Sequence, residues 1–87
     1  MAHASQLAPL NVVARAPFHV YYEGTAERVS ATNKVGNFDI LPGHADFFSV
    51  LIPGQVTIET KTDIVNFNIT NGIMAVRDAR VLLFVNI

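Results

Sequence analysis

Alternation of apolar and polar residues with a period of two, cut every few residues by glycine, proline or asparagine, is what most constrains this chain. Val56-Thr57-Ile58-Glu59-Thr60 places Val56, Ile58 and Thr60 on one face, and Val65-Asn66-Phe67-Asn68-Ile69 turns both asparagines outward. Such alternation marks strands with one buried and one wet face. The stretches Phe18 to Tyr22 and Ala26 to Ala31 are rich in β-formers, and Asn11 to Arg15 extends the pattern towards the start of the chain. Glycine or proline interrupts every candidate helix. Turn signals recur at Pro17, Glu23-Gly24, Asn33 to Gly36, Pro42-Gly43, Pro53-Gly54, Lys61 to Asp63, Asn71-Gly72 and Arg77-Asp78. Asn71-Gly72 is predicted to be a type I′ hairpin turn, because both residues tolerate φ > 0 and apolar strands flank them. The pattern predicts an all-β chain of roughly eight to ten short strands, packed as a two-sheet antiparallel β-sandwich. A single domain over residues 10–87 follows, with residues 1–9 a flexible N-terminus or an appended remnant.

The final segment, Arg80 to Ile87, breaks the alternation, with apolar residues on both faces from Val81 to Val85. A strand of that kind is either central or covered by something else. Of the 87 residues 51% are hydrophobic and 15% charged, an excess that hints at apolar surface held for a partner. Six basic residues against seven acidic ones give a net charge of −1 with no basic run, so nucleic acid and anionic membrane have no electrostatic footprint. Cysteine is absent, which removes thiol chemistry, disulfides and zinc-thiolate sites. No apolar run is long enough to span a bilayer, and the reading is of a soluble protein without direct membrane insertion.

Chemistry-bearing residues concentrate in Gly36 to Phe47, where His44 lies between Asp39 and Asp46. His3, His19 and His44 are too dispersed for the local spacing of a zinc site, so no metal is expected. His44, Asp46 and Ser49 are the residues that proximity could arrange as a triad, and Asp39 with Asp46 could be imagined as a carboxylate pair. Triads converge from distant segments, however, and aspartate beside a turn commonly serves local hydrogen bonding. No Gly-rich loop precedes a helix, so no cofactor or nucleotide site is expected. Asn68-Ile69-Thr70 matches a glycosylation acceptor and, without a secretory signal, is read as chance. Pro42-Gly43-His44 reads as a β-turn with proline second and glycine third. It could equally be a rigid corner that displays His44 to a partner. From the residues alone the chain is a small β-sandwich serving as a protein-interaction module.

In order and spacing these segments resemble the N-terminal β-sandwich domain of the epsilon subunit of F-type ATP synthases, called delta in mitochondria. Leu10-Asn11-Val12-Val13 is similar to the family's opening strand L-x-V-V, and Tyr21-Tyr22-Glu23-Gly24 to the aromatic segment after it. Gly36 to Phe47 resembles the signature G-E-L-G-I-L-P-G-H-A-P-L. Thr70 to Val76 echoes the second signature S-G-G-F/I-L-E-V, and Val81 to Val85 the closing strand. The resemblance implies a non-catalytic rotor subunit that binds the gamma subunit and rests on the membrane rotor ring. It would couple ion flow to ATP synthesis as a peripheral subunit at the cytoplasmic face of a bacterial plasma membrane. By position it implies that Asn37, Phe38 and Asp39 approach the ring, and that His44 and Ser49, with the Pro42-Gly43 corner, lie towards gamma. Asn37 and Asp39 depart from the family's Glu and Gly, Asp46 from its Pro, and Thr70-Asn71 from its Ser-Gly. The family's C-terminal helical hairpin, which in bacterial members can bind ATP and brake hydrolysis, has no counterpart in these 87 residues. Its absence would account for the doubly apolar last strand and implies no ATP binding. The alternative is a free-standing β-sandwich module that associates with itself. An enzyme acting through His44 is the remaining class, with no substrate suggested.

Overall fold

The computed structural model describes residues 7–87, so His3 lies outside the described residues. Nine strands form in chain order: β1 (Leu10–Ala16), β2 (His19–Ala26), β3 (Arg28–Asn33), β4 (Gly36–Ile40), β5 (Phe47–Leu51), β6 (Gly54–Glu59), β7 (Ile64–Ile69), β8 (Gly72–Arg77) and β9 (Arg80–Val85). No helix occurs among the described residues. A five-stranded sheet with the order β2-β1-β9-β8-β5 packs on a four-stranded sheet with the order β4-β3-β6-β7, giving the expected β-sandwich. The alternation sets the core. Val12, Met74 and Leu83 from the first sheet meet Val29, Val56 and Ile58 from the second, all essentially without solvent contact.

One pairing departs from the antiparallel expectation. β1 and β9 run parallel, with Val12 beside Val81 and Ala14 beside Leu83. The first and last strands therefore lie side by side in the middle of the larger sheet. A parallel neighbour needs a long connection, and here the whole of the intervening chain supplies it. This explains half of the apolar character of β9. Val81, Leu83 and Val85 enter the core, while Leu82 on the opposite face stays 48% exposed.

The Asn71-Gly72 hairpin does not form. β7 belongs to the smaller sheet and β8 to the larger one, so Thr70-Asn71 is a corner between sheets. Neither Asn71 nor Gly72 has a positive φ. Asn71 instead ties down the end of the chain: its carbonyl accepts from Asn86 N–H at 2.9 Å and its side-chain oxygen from Ile87 N–H at 3.0 Å. Gly72 is required by close approach, because a Cβ there would lie 2.9 Å from Val85 Cγ1 and 3.1 Å from the Phe84 carbonyl. The tight two-residue hairpin falls at Asp78-Ala79 (φ 50° and 64°), joining β8 to β9 with Arg77 opposite Arg80. Glu23-Gly24 is likewise no turn, since β2 runs straight through it. The stretch Ala26 to Ala31 is not one strand either: the chain changes sheets at Glu27.

Candidate docking surface at the Pro-Gly-His corner

β4 and β5 converge on the corner from opposite sheets. Leu41 to His44 forms the turn between them, with His44 N–H donating to the Leu41 carbonyl at 3.0 Å. Gly43 has φ 83°, so this is a type II turn with proline second and glycine third, as the sequence predicts. Proline fixes the first central φ and glycine supplies the positive one, which makes the corner stiff. His44 is exposed at its end, its Nδ1 2.8 Å from the Ala45 carbonyl. Its ring stands edge-on to Phe47 at 5.6 Å between centroids, and Phe47 in turn meets Phe38 at 5.4 Å.

The seven sequence-derived residues are divided by this geometry. Strand alternation puts Asn37 and Asp39 on the outer face of the smaller sheet and Phe38 on its inner side. Asn37 accepts from the Thr32 hydroxyl at 2.6 Å and Asp39 from the Ser30 hydroxyl at 2.5 Å, both across the β3–β4 pair. Pro42, Gly43 and His44 form the corner itself. Ser49 is 8% exposed, and Asn33 Nδ2 donates to its hydroxyl at 3.1 Å, so its side chain acts within the fold. The imagined triad is not assembled. Ser49 is committed to Asn33, and the Asp46 carboxylate accepts from Asp78 N–H at 3.3 Å, supporting the β8–β9 hairpin. Asp39 and Asp46 are bound to different sheets and form no pair. Among the described residues no group of three or more His, Asp or Glu side chains could hold a metal ion.

Sequence reasoning missed the outer face of the larger sheet. Phe48 (64% exposed) and Val50 (62%) on β5 share it with Leu82, and the registers bring Ala75 and Ile73 between them. Half-buried Val13 and Phe84 continue the apolar area towards β1. Beside it a shallow depression of about 540 Å³ runs between Glu23, Val13, Arg80 and Leu82. The signal was present as the doubly apolar last strand, but alternation alone does not say which face a sandwich leaves open.

Residues 9–87 match the family model described as the ATP synthase delta/epsilon chain, beta-sandwich domain. The chain belongs to this family. Among curated relatives, the ATP synthase epsilon chain of Geobacter sulfurreducens is 30% identical over 69 residues, covering 79% of this chain and 50% of that protein. The epsilon chain of Desulforudis audaxviator is 33% identical over 70 residues, covering 80% and 51%. The chain thus spans about half the length of the curated relatives it matches. Two solved assemblies share the fold. A chain of the Euglena gracilis mitochondrial ATP synthase (OSCP/F1/c-ring) matches with a TM-score of 0.82 at 17% identity, over 90% of this chain and 51% of its own length. A chain of the Tetrahymena thermophila mitochondrial ATP synthase, from its central stalk and c-ring, matches with 0.76 at 23% identity, over 91% and 64%. This delta/epsilon sandwich contains no helix long and apolar enough to cross a membrane among its described residues.

Proposed function

We propose that this chain is a non-catalytic rotor component of an F-type ATP synthase, held peripherally at the cytoplasmic face of a bacterial membrane through the complex. It binds a gamma subunit and the membrane rotor ring and helps couple ion flow to ATP synthesis. The family match over residues 9–87 carries this reading. Three features of the molecule support it. The Leu41–His44 turn is rigid and offers His44 to solvent. The outer face of the larger sheet is apolar to an extent that suits a protein held inside an assembly. A sandwich of two bonded sheets is also stiff enough to transmit torque without local unfolding.

In this reading His44 and the corner meet gamma, and the outward side chains Asn37 and Asp39 meet the ring. Phe38 and Ser49 support the contact from within. Co-purification with a gamma subunit of the same source is the test, and no complex between two folded partners sinks it. His44→Ala is expected to weaken that complex at an unchanged melting temperature. Phe38→Ala is expected to lower stability first, by about 2–3 kcal/mol for a half-buried aromatic. Equal loss of stability in both variants would remove His44 from the docking surface.

A further inference from the structure

Among the described residues the smaller sheet ends in β7, which bonds to β6 and to no other strand. Two observations fix which backbone groups of β7 face outward. Thr60 N–H donates to the Asp63 carbonyl at 2.8 Å, and the register runs on through Ile58 opposite Val65. Hydrogen-bonded and non-bonded pairs alternate along an antiparallel ladder, so Val65, Phe67 and Ile69 bond β6. Independently, the Glu59 carbonyl accepts from Glu27 N–H on the β3 side, which leaves the Glu59–Ile64 pair non-bonded. The N–H and C=O groups of Ile64, Asn66 and Asn68 therefore point away from the sheet.

Open edges are normally blunted by charge, proline, a bulge or shortness. β7 has none of these, its six residues Ile-Val-Asn-Phe-Asn-Ile being uncharged and free of glycine and proline. The other three edges are managed. β4 is five residues long and carries Asp39. β5 is tied to the opposite sheet by Ile52 N–H on the Thr32 carbonyl and by Asn33 on Ser49. β2 carries Glu23 and is bulged against β1 at Ala14/Arg15.

We propose that β7 pairs antiparallel with the β7 of a second copy of this chain, about a two-fold axis through Asn66. The edge is self-complementary in that register. Asn66 meets Asn66 of the second copy, and Ile64 meets Asn68, as hydrogen-bonded pairs that use every outward N–H and C=O of the three residues. On the inner face the same register sets half-buried Val65 against Phe67 of the second copy, at the closer non-bonded spacing that favours aromatic–β-branched contact. Asp63 falls opposite Ile69, so no like charges meet. A slip of one residue would face outward groups with groups already bonded to β6. The pairing adds one strand-to-strand ladder, which is small for an interface, so the dimer is weak and concentration-dependent. It stands independently of the rotor reading, since failure to bind gamma would leave it untouched.

Because the chain has no cysteine, a single introduced thiol reports the axis cleanly. The Cα atoms of a hydrogen-bonded antiparallel pair lie about 5.5 Å apart, within disulfide reach. Under mild oxidation Asn66→Cys is expected to cross-link to a dimer, whereas Asn68→Cys, which faces Ile64, stays monomeric. By light scattering, the mass of the unmodified chain should rise from 9.5 kDa towards twice that value with concentration. Asn66→Asp keeps an acceptor for the Thr57 hydroxyl and sets two carboxylates across the axis, so it should hold the mass at 9.5 kDa without changing the circular dichroism. A mass fixed at 9.5 kDa at all concentrations overturns the proposal, as does equal cross-linking of the two cysteine variants. So does a dimer that survives Asn66→Asp but is lost in Phe48→Asp, which would place the second copy on the outer face of the larger sheet.

Discussion

Ala79 occupies φ 64°, a left-handed conformation that crowds its Cβ against the following carbonyl. That conformation costs about 1–2 kcal/mol for an L-residue, partly offset in glycine by greater freedom of the unfolded chain. Ala79→Gly is therefore expected to stabilise the fold by about 0.5 kcal/mol, raising the melting temperature by roughly 2–4 °C. Gly72 is the opposite case, because its backbone is ordinary and only space is short. Gly72→Ala should destabilise by about 1–3 kcal/mol through overpacking against Val85 and the Phe84 carbonyl, measured by urea unfolding. Asn71-Gly72 has the composition of a tight hairpin and Asp78-Ala79 only half of it, yet the hairpin forms at the second. Local propensity was overruled because β7 and β8 bury their apolar faces in different sheets.

β9 shows how an element depends on contacts far away in sequence. Its end is fastened by Asn86, whose carboxamide oxygen accepts from Thr70 N–H at 2.8 Å and the Thr70 hydroxyl at 3.1 Å, while its Nδ2 donates to the Tyr21 hydroxyl at 3.2 Å. Asn86 also has φ 53°, which asparagine tolerates better than most residues. Asn86→Gly keeps that backbone and removes only the side-chain bonds, so a loss of about 1–2 kcal/mol is expected in thermal unfolding, and an unchanged melting temperature would refute the assignment. Tyr21, the extra residue of the β1–β2 irregularity, stacks on Phe67 with centroids 4.2 Å apart. One bulge thus joins β2 of the larger sheet to β7 of the smaller one. Nothing in the spacing of Tyr21 foretold this, because a bulge shifts the inward and outward faces midway along a strand.

For the whole molecule, the proposed function depends on surfaces more than on any one titratable group. The described residues contain no helix whose N-terminus could receive a phosphate, and no Gly-rich loop precedes one. ATP titrated calorimetrically into this chain is expected to give no saturable heat, and clear saturation would overturn that expectation. The strand count, the two-sheet architecture and the type II corner at Pro42-Gly43 followed from the sequence, because alternation and turn chemistry are local properties. Tertiary structure decided the rest. It made β1 and β9 parallel neighbours, turned Asn37 and Asp39 outward with Phe38 inward, and buried Ser49. It also left one apolar sheet face and one strand edge open. Those outcomes depend on which strands meet, and that pairing is set by burial summed over the whole chain, which no single segment encodes.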